Sequence, residues 1–91
     1  MKISATIITL NEERNIGRCI QSLEGVADEI IVLDSFSTDR TQEICEQLGV
    51  RFEQRKWEGY SASKNYLNSL AQFDYILSLD ADEALDAELR E

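Results

Sequence analysis

The stretch Tyr75-Ile76-Leu77-Ser78-Leu79-Asp80-Ala81-Asp82-Glu83 passes from an apolar run straight into acid. Its first half reads as a buried strand. In an extended chain residues i and i+2 point the same way. Asp80 and Asp82 therefore project together at or just past the strand's carboxyl end, with Glu83 beside them. Crowded carboxylates repel one another unless a cation sits among them. A divalent ion of the magnesium type accepts one or two carboxylates and completes its shell with water and substrate phosphates. The competing reading is local: Asp82 or Asp86 simply caps a following helix.

Composition narrows the partners. The chain has 91 residues, the length of one small domain with a limited core. Its hydrophobic fraction of 43% is that of an ordinary globular protein. The net charge is −9 and there is no His. Nucleic acids and anionic membranes need clustered Lys and Arg, so neither is an expected partner. A bare diphosphate is equally disfavoured unless a metal or local cations accompany it. Cys19 and Cys45 are too few and too far apart for a zinc site. Each falls among apolar residues at helical spacing, which reads as free, reduced core cysteine and fits a reducing compartment. No secretory signal and no long apolar span is present.

The elements that must position the acidic pair alternate regularly. Residues 3–10 are β-branched and nearly all apolar, as in a strand buried on both faces. Asn11 reads as the cap of a first helix, with Glu12 and Glu13 in its first turn and Ile16, Cys19, Ile20 and Leu23 on its apolar face. Gly25 reads as its end. Residues 29–34 form a second buried strand, and residues 35–39 a polar loop and cap. Ile44, Cys45 and Leu48 mark a second helix closed by Gly49. Residues 50–54 are a weaker, more polar strand suited to a sheet edge. After an irregular loop over 55–60, Ser61 or Ser63 starts a third helix carrying Tyr66, Leu67, Leu70 and Ala71. Residues 74–79 are the fourth strand. Asp86-Ala87-Glu88-Leu89-Arg90-Glu91 looks like the first turn of one more helix, so the chain is expected to be the amino-terminal piece of a longer protein.

This alternation predicts an α/β fold: a Rossmann-like three-layer unit with right-handed crossovers and helices on both faces of a parallel sheet. The fourth strand is best buried on the free side of the first, giving the order 3-2-1-4. The order then reverses between strands 1 and 4, and open α/β sheets bind ligands outside the carboxyl ends at such a point. Thr9, Leu10 and Asn11 end strand 1, Asp34 ends strand 2, and Asp80 and Asp82 follow strand 4. Polar groups thus stand where a nucleotide-type ligand would need them.

Four motifs in register carry a resemblance: Thr6-Ile7-Ile8-Thr9-Leu10-Asn11-Glu12-Glu13, Asp34-Ser35-Phe36-Ser37-Thr38-Asp39, Ser63-Lys64-Asn65 and Leu79-Asp80-Ala81-Asp82-Glu83. Together they resemble the inverting family-2 glycosyltransferases of the GT-A fold, nearest the bacterial branch that includes lipopolysaccharide-core glycosyltransferases. Trp57-x-Gly59-Tyr60 is also similar to that branch. The resemblance implies that residues 1–91 are the nucleotide-sugar-binding part of a domain that continues beyond Glu91. It implies a nucleotide-sugar donor, uridine diphosphate sugar by default, a saccharide or glycolipid acceptor, and a divalent metal, Mn or Mg. Asp82 would contact the metal most directly; Asp80 would orient it or hold the ribose, with Glu83 assisting. Thr9, Leu10, Asn11, Glu12, Asp34 and Ser35 would line the donor site, and Lys64 would reach the ribose or phosphates. Lys64 also reads as a solvated helix lysine. No catalytic base is assigned in this chain, because the family places it later. The implied location is the cytoplasm, at the cytoplasmic face of the inner membrane.

Two departures fall on base recognition. Many members carry an aromatic residue at the end of strand 1, where Leu10 stands, and a second Asp after strand 2, where Ser35 stands. They imply loose base selection, with uridine only modestly preferred. Two other readings stay open: a non-catalytic nucleotide-binding module, and a phosphorylation-switched receiver domain, which would need an acidic residue where Gln54-Arg55 follows strand 3.

Overall fold

The computed structural model describes residues 2–82. Its elements are β1 (Ile3–Thr9), α1 (Ile16–Ser22), β2 (Glu29–Asp34), α2 (Thr41–Leu48), β3 (Arg51–Gln54), α3 (Tyr60–Leu70) and β4 (Tyr75–Asp80). The four strands form one parallel sheet in the order β3-β2-β1-β4, as the alternation predicts. Glu83, the rest of the acidic tip and the expected helix start at Asp86 lie outside the described residues.

Period-two alternation along β1 sends its side chains into two different layers. Ala5 and Ile7 join Ile16, Cys19, Ile20, Leu23, Val32 and Cys45 in the larger core, between the sheet and helices α1 and α2. On the other face Ile31 and Leu33 pack with Leu67 of α3, flanked by Ile8, Tyr66 and Leu70. Helices therefore cover both faces. Both cysteines are buried and neither is in a disulfide. Burial, aided by the nearby Asp34 charge, pushes the Cys45 thiol up to about 12, so it stays protonated and unreactive.

Five local expectations are corrected. Asn11 does not cap α1. It sits at φ 52, in the left-handed region that Asn tolerates, and its Oδ1 accepts from the Thr38 N–H at 2.8 Å instead. Helix α1 starts only at Ile16, so Glu12 and Glu13 belong to the preceding loop rather than a first helical turn. That helix ends at Ser22, and Gly25 lies in the turn beyond. Helix α3 begins at Tyr60, ahead of both serines. Gly59, at φ 100, lets the chain turn sharply into it, and Ser63 faces inward. Finally, β4 takes the end position that the order 3-2-1-4 gives it but is not the buried strand its apolar run suggests: Tyr75, Ser78 and Asp80 are exposed and Leu79 alone is buried. Among the described residues only β1 pairs with it.

Candidate functional site

Asp34 is the hub of the carboxyl edge. It ends β2 with its side chain fully buried. Its Oδ2 accepts from the Ser37 N–H at 2.8 Å and from Gln54 Nε2 at 3.1 Å, and its Oδ1 accepts from the Ser37 hydroxyl. Ser37 Oγ in turn accepts from the Asn11 N–H at 2.7 Å. The Asp34 carbonyl accepts from the Arg55 N–H at 2.9 Å. One carboxylate thus ties together the loops that follow β1 and β2 and the end of β3. The tight turn leaves Phe36 at φ 61, a costly conformation for an aromatic residue, of the kind that surrounding bonds must hold in place.

Asp39 makes a second clasp. Its Oδ1 accepts from the Thr41 N–H at 2.9 Å and the Thr41 hydroxyl at 2.6 Å, and its Oδ2 accepts from the Glu13 N–H at 3.1 Å. Thr41 Oγ1 accepts from the Glu12 N–H at 3.0 Å. Partial desolvation opposes ionisation of Asp39, but the bonds from Thr41 and Glu13 outweigh it and hold the carboxyl below its ordinary value of 3.8. A depressed folded value means stability present above the unfolded value and lost as pH falls through the folded one. Asp39→Ala, which removes the acceptor of the Thr41 and Glu13 N–H groups, is expected to lower stability by about 1 kcal/mol at pH 7. Denaturant midpoints at pH 7 and pH 3 should show the gap from the parent protein narrowing in acid; an unchanged gap would mean that the carboxylate charge is irrelevant.

These loops surround a cavity of about 420 Å³ at the carboxyl edge of the sheet. Its walls include Thr9, Leu10 and Glu12 after β1, Ser35 after β2, Trp57 and Tyr60 after β3, and Asp80 and Asp82 after β4. The volume is that of a small-molecule site. The segment after β3 supplies its aromatic rings, and Glu12, Asp80 and Asp82 supply its carboxylates. Thr9 is 3% exposed, and among the described residues its buried Oγ1 has no hydrogen-bond partner. A buried hydroxyl left unpaired costs about 1–3 kcal/mol.

Of the residues singled out from the sequence, Thr9, Leu10, Glu12, Ser35, Asp80 and Asp82 come together on this cavity. Asn11 and Asp34 do not line it; they hold its loops. Lys64 lies on the other side of the β1–β4 edge, lining a recess of about 60 Å³ that Ile8 and Asp80 share with the main cavity. Glu83 is outside the described residues. Among the described residues no three His, Cys, Asp or Glu side chains converge on a metal-sized point. Asp80 and Asp82 nevertheless suit an ion that takes one or two carboxylates and fills its shell with water and phosphate. The end of β4 is held by the Ala81 N–H, which donates to the Ile8 carbonyl at 3.1 Å, and by the Cys19 thiol, which donates to the Asp80 carbonyl at 3.8 Å. Gln54, where a receiver domain would need its phosphoacceptor, is a hydrogen-bond donor to Asp34.

Sequence reasoning assigned no role to Trp57, Tyr60, Ser37 or Thr41. The first two carried a usable signal, since large aromatic residues in a loop gain nothing there unless something covers them.

Residues 4–90 match the family model described as glycosyl transferase family 2. An uncharacterised glycosyltransferase of Rickettsia felis is 49% identical over 90 residues, covering 99% of this chain and 32% of that protein. A lipopolysaccharide core biosynthesis glycosyltransferase of Rhizobium meliloti is 40% identical over 96 residues, covering all of this chain and 35% of its own. Among solved structures, glucosyl-3-phosphoglycerate synthase of Mycobacterium tuberculosis, crystallised with Mn2+, uridine diphosphate and glucosyl-3-phosphoglycerate, superposes with a TM-score of 0.78 at 26% identity. That match covers 91% of this chain and 35% of the synthase. The chain spans about a third of the length of the relatives it matches.

Proposed function

The chain belongs to glycosyl transferase family 2, and on that footing we propose that the protein moves a sugar from a nucleoside-diphosphate donor to a saccharide or glycolipid acceptor. The donor is by default a uridine diphosphate sugar, the transfer inverts the anomeric centre, and Mn or Mg assists. The observation that carries this reading is the cavity that gathers Thr9, Leu10, Glu12 and Ser35 with Asp80 and Asp82 on one edge of the sheet. The synthase crystallised with uridine diphosphate and Mn2+ shares this fold, which supports the donor class.

Residues 1–91 carry donor binding. Asp82 and Asp80, with Glu83, would hold the metal, which neutralises charge on the departing diphosphate. That helps only where it is stronger in the transition state than in the ground state. The backbone around Thr9 and the side chain of Ser35 would line the nucleoside pocket. Lys64 lines the recess that shares Asp80 with the cavity, which supports a contact with a ribose or phosphate oxygen. Inversion needs a general base on the acceptor hydroxyl, and we place that group and the acceptor site outside residues 1–91. Among the described residues no helix is long and apolar enough to cross a membrane.

Calorimetric titration of the whole protein with uridine diphosphate tests the reading. Saturating Mn should tighten binding by about tenfold or more, or 1.4 kcal/mol, and chelation should reverse it. Equal affinity with and without metal, or no binding of any nucleoside diphosphate, would overturn it.

A further inference from the structure

We infer that Trp57 and Tyr60 form the platform on which the nucleobase of the donor stacks, replacing the ring that Leu10 cannot provide. This rests on the donor-site reading above and adds the residues that hold the base. Trp57 is 44% and Tyr60 59% exposed, and both line the same cavity as Leu10, itself 53% exposed, and Ser35. The two rings lie 4.9 Å apart at 89°. Such a pair makes a right-angled corner and leaves each ring at least one face that the other does not cover. A planar base laid flat on one ring meets the other edge-on, and an aromatic quadrupole favours both contacts.

The corner is held in place from below. The Arg55 N–H is bonded to the Asp34 carbonyl, and its guanidinium lies 4.2 Å over the Tyr66 ring. Gly59 then reverses the chain, so that Tyr60 opens α3 back against Trp57. A loop tied at both ends loses little further freedom when a ligand arrives, which favours binding. The rings come from the loop after β3 and line the same cavity as Asp80, at the end of β4, and Asp82. The base is the part of a donor with an apolar face, so it is the part that suits the rings, while the diphosphate suits the acidic groups through a metal. Loose base selection follows from Leu10 and Ser35 alone, and the corner adds affinity for any base because every base has a π-face.

The test compares two ligands on the whole protein with saturating Mn: uridine diphosphate, and inorganic pyrophosphate, which has no base. Trp57→Ala and Tyr60→Ala are each expected to weaken uridine diphosphate by about tenfold or more while leaving pyrophosphate within about twofold. Trp57→Phe keeps a ring and should recover most of the affinity. If both alanine variants hold uridine diphosphate as the parent does, the rings do not meet the base. If both ligands weaken together, or melting of Trp57→Ala falls along with that of Trp57→Phe, the rings are structural and the inference is overturned. Failure of the parent protein to bind any nucleoside diphosphate would instead strike the donor-site reading itself.

Discussion

Asp82→Asn is expected to reduce metal-dependent turnover of the whole protein by about 10²- to 10³-fold, the usual loss when an electrostatic stabiliser of developing charge is removed. The residue lines the cavity beside Asp80 and is exposed. Asparagine keeps the shape and one oxygen but not the charge that the cation needs. Saturating Mn should recover only part of the loss. Glu12 stands on the same cavity wall set as the two aspartates. Without metal, removing one carboxylate from this group relieves repulsion, so the melting temperature should hold or rise slightly. Rates measured against Mn concentration, with melting curves in chelator, provide the comparison. A clear drop in melting temperature with little change in rate would show Asp82 to be structural, a helix cap rather than a metal ligand.

Asp34→Ala should have the largest effect on stability, about 3 kcal/mol. The change strands the Ser37 N–H, the Ser37 hydroxyl and the Gln54 amide, each bonded to a carboxylate that is fully buried. A buried donor left without its acceptor costs about 1–3 kcal/mol, less where water can reach it. The consequence for function is indirect. Releasing Ser37 also releases Asn11, whose N–H it accepts, so two of the loops around the cavity lose their registration together. Nucleotide binding should weaken with stability, and Asp34→Asn, which retains one acceptor oxygen, should fall between. Denaturant unfolding of the three proteins beside nucleotide titration separates the roles. Unchanged stability with lost binding would make Asp34 a direct ligand contact.

Much of this protein is legible in one dimension. The alternation of β-branched runs with helical periodicity specifies a parallel sheet, and the burial of strand 1 between two partners specifies the order β3-β2-β1-β4. Both follow from hydrophobic period and chain connectivity, which are local in sequence. That Asp80 and Asp82 stand on the same edge of the sheet as the ends of β1 and β2 is legible for the same reason. The cap at Asn11 is misread because a cap and a loop clasp call for the same side chain. Which one forms depends on whether a partner such as Thr38, 27 residues away, arrives. Asp34 reads as a ligand contact because its position is right. Only the folded loops show its carboxylate turned inward to Ser37 and Gln54. Trp57 and Tyr60 go unassigned because they stand 47 and 50 positions from Leu10 in the chain. Pattern reading compares neighbours a few residues apart. The meeting of four strand ends on one edge is a property of the sheet, and it alone places those rings in the cavity with the acid of β4.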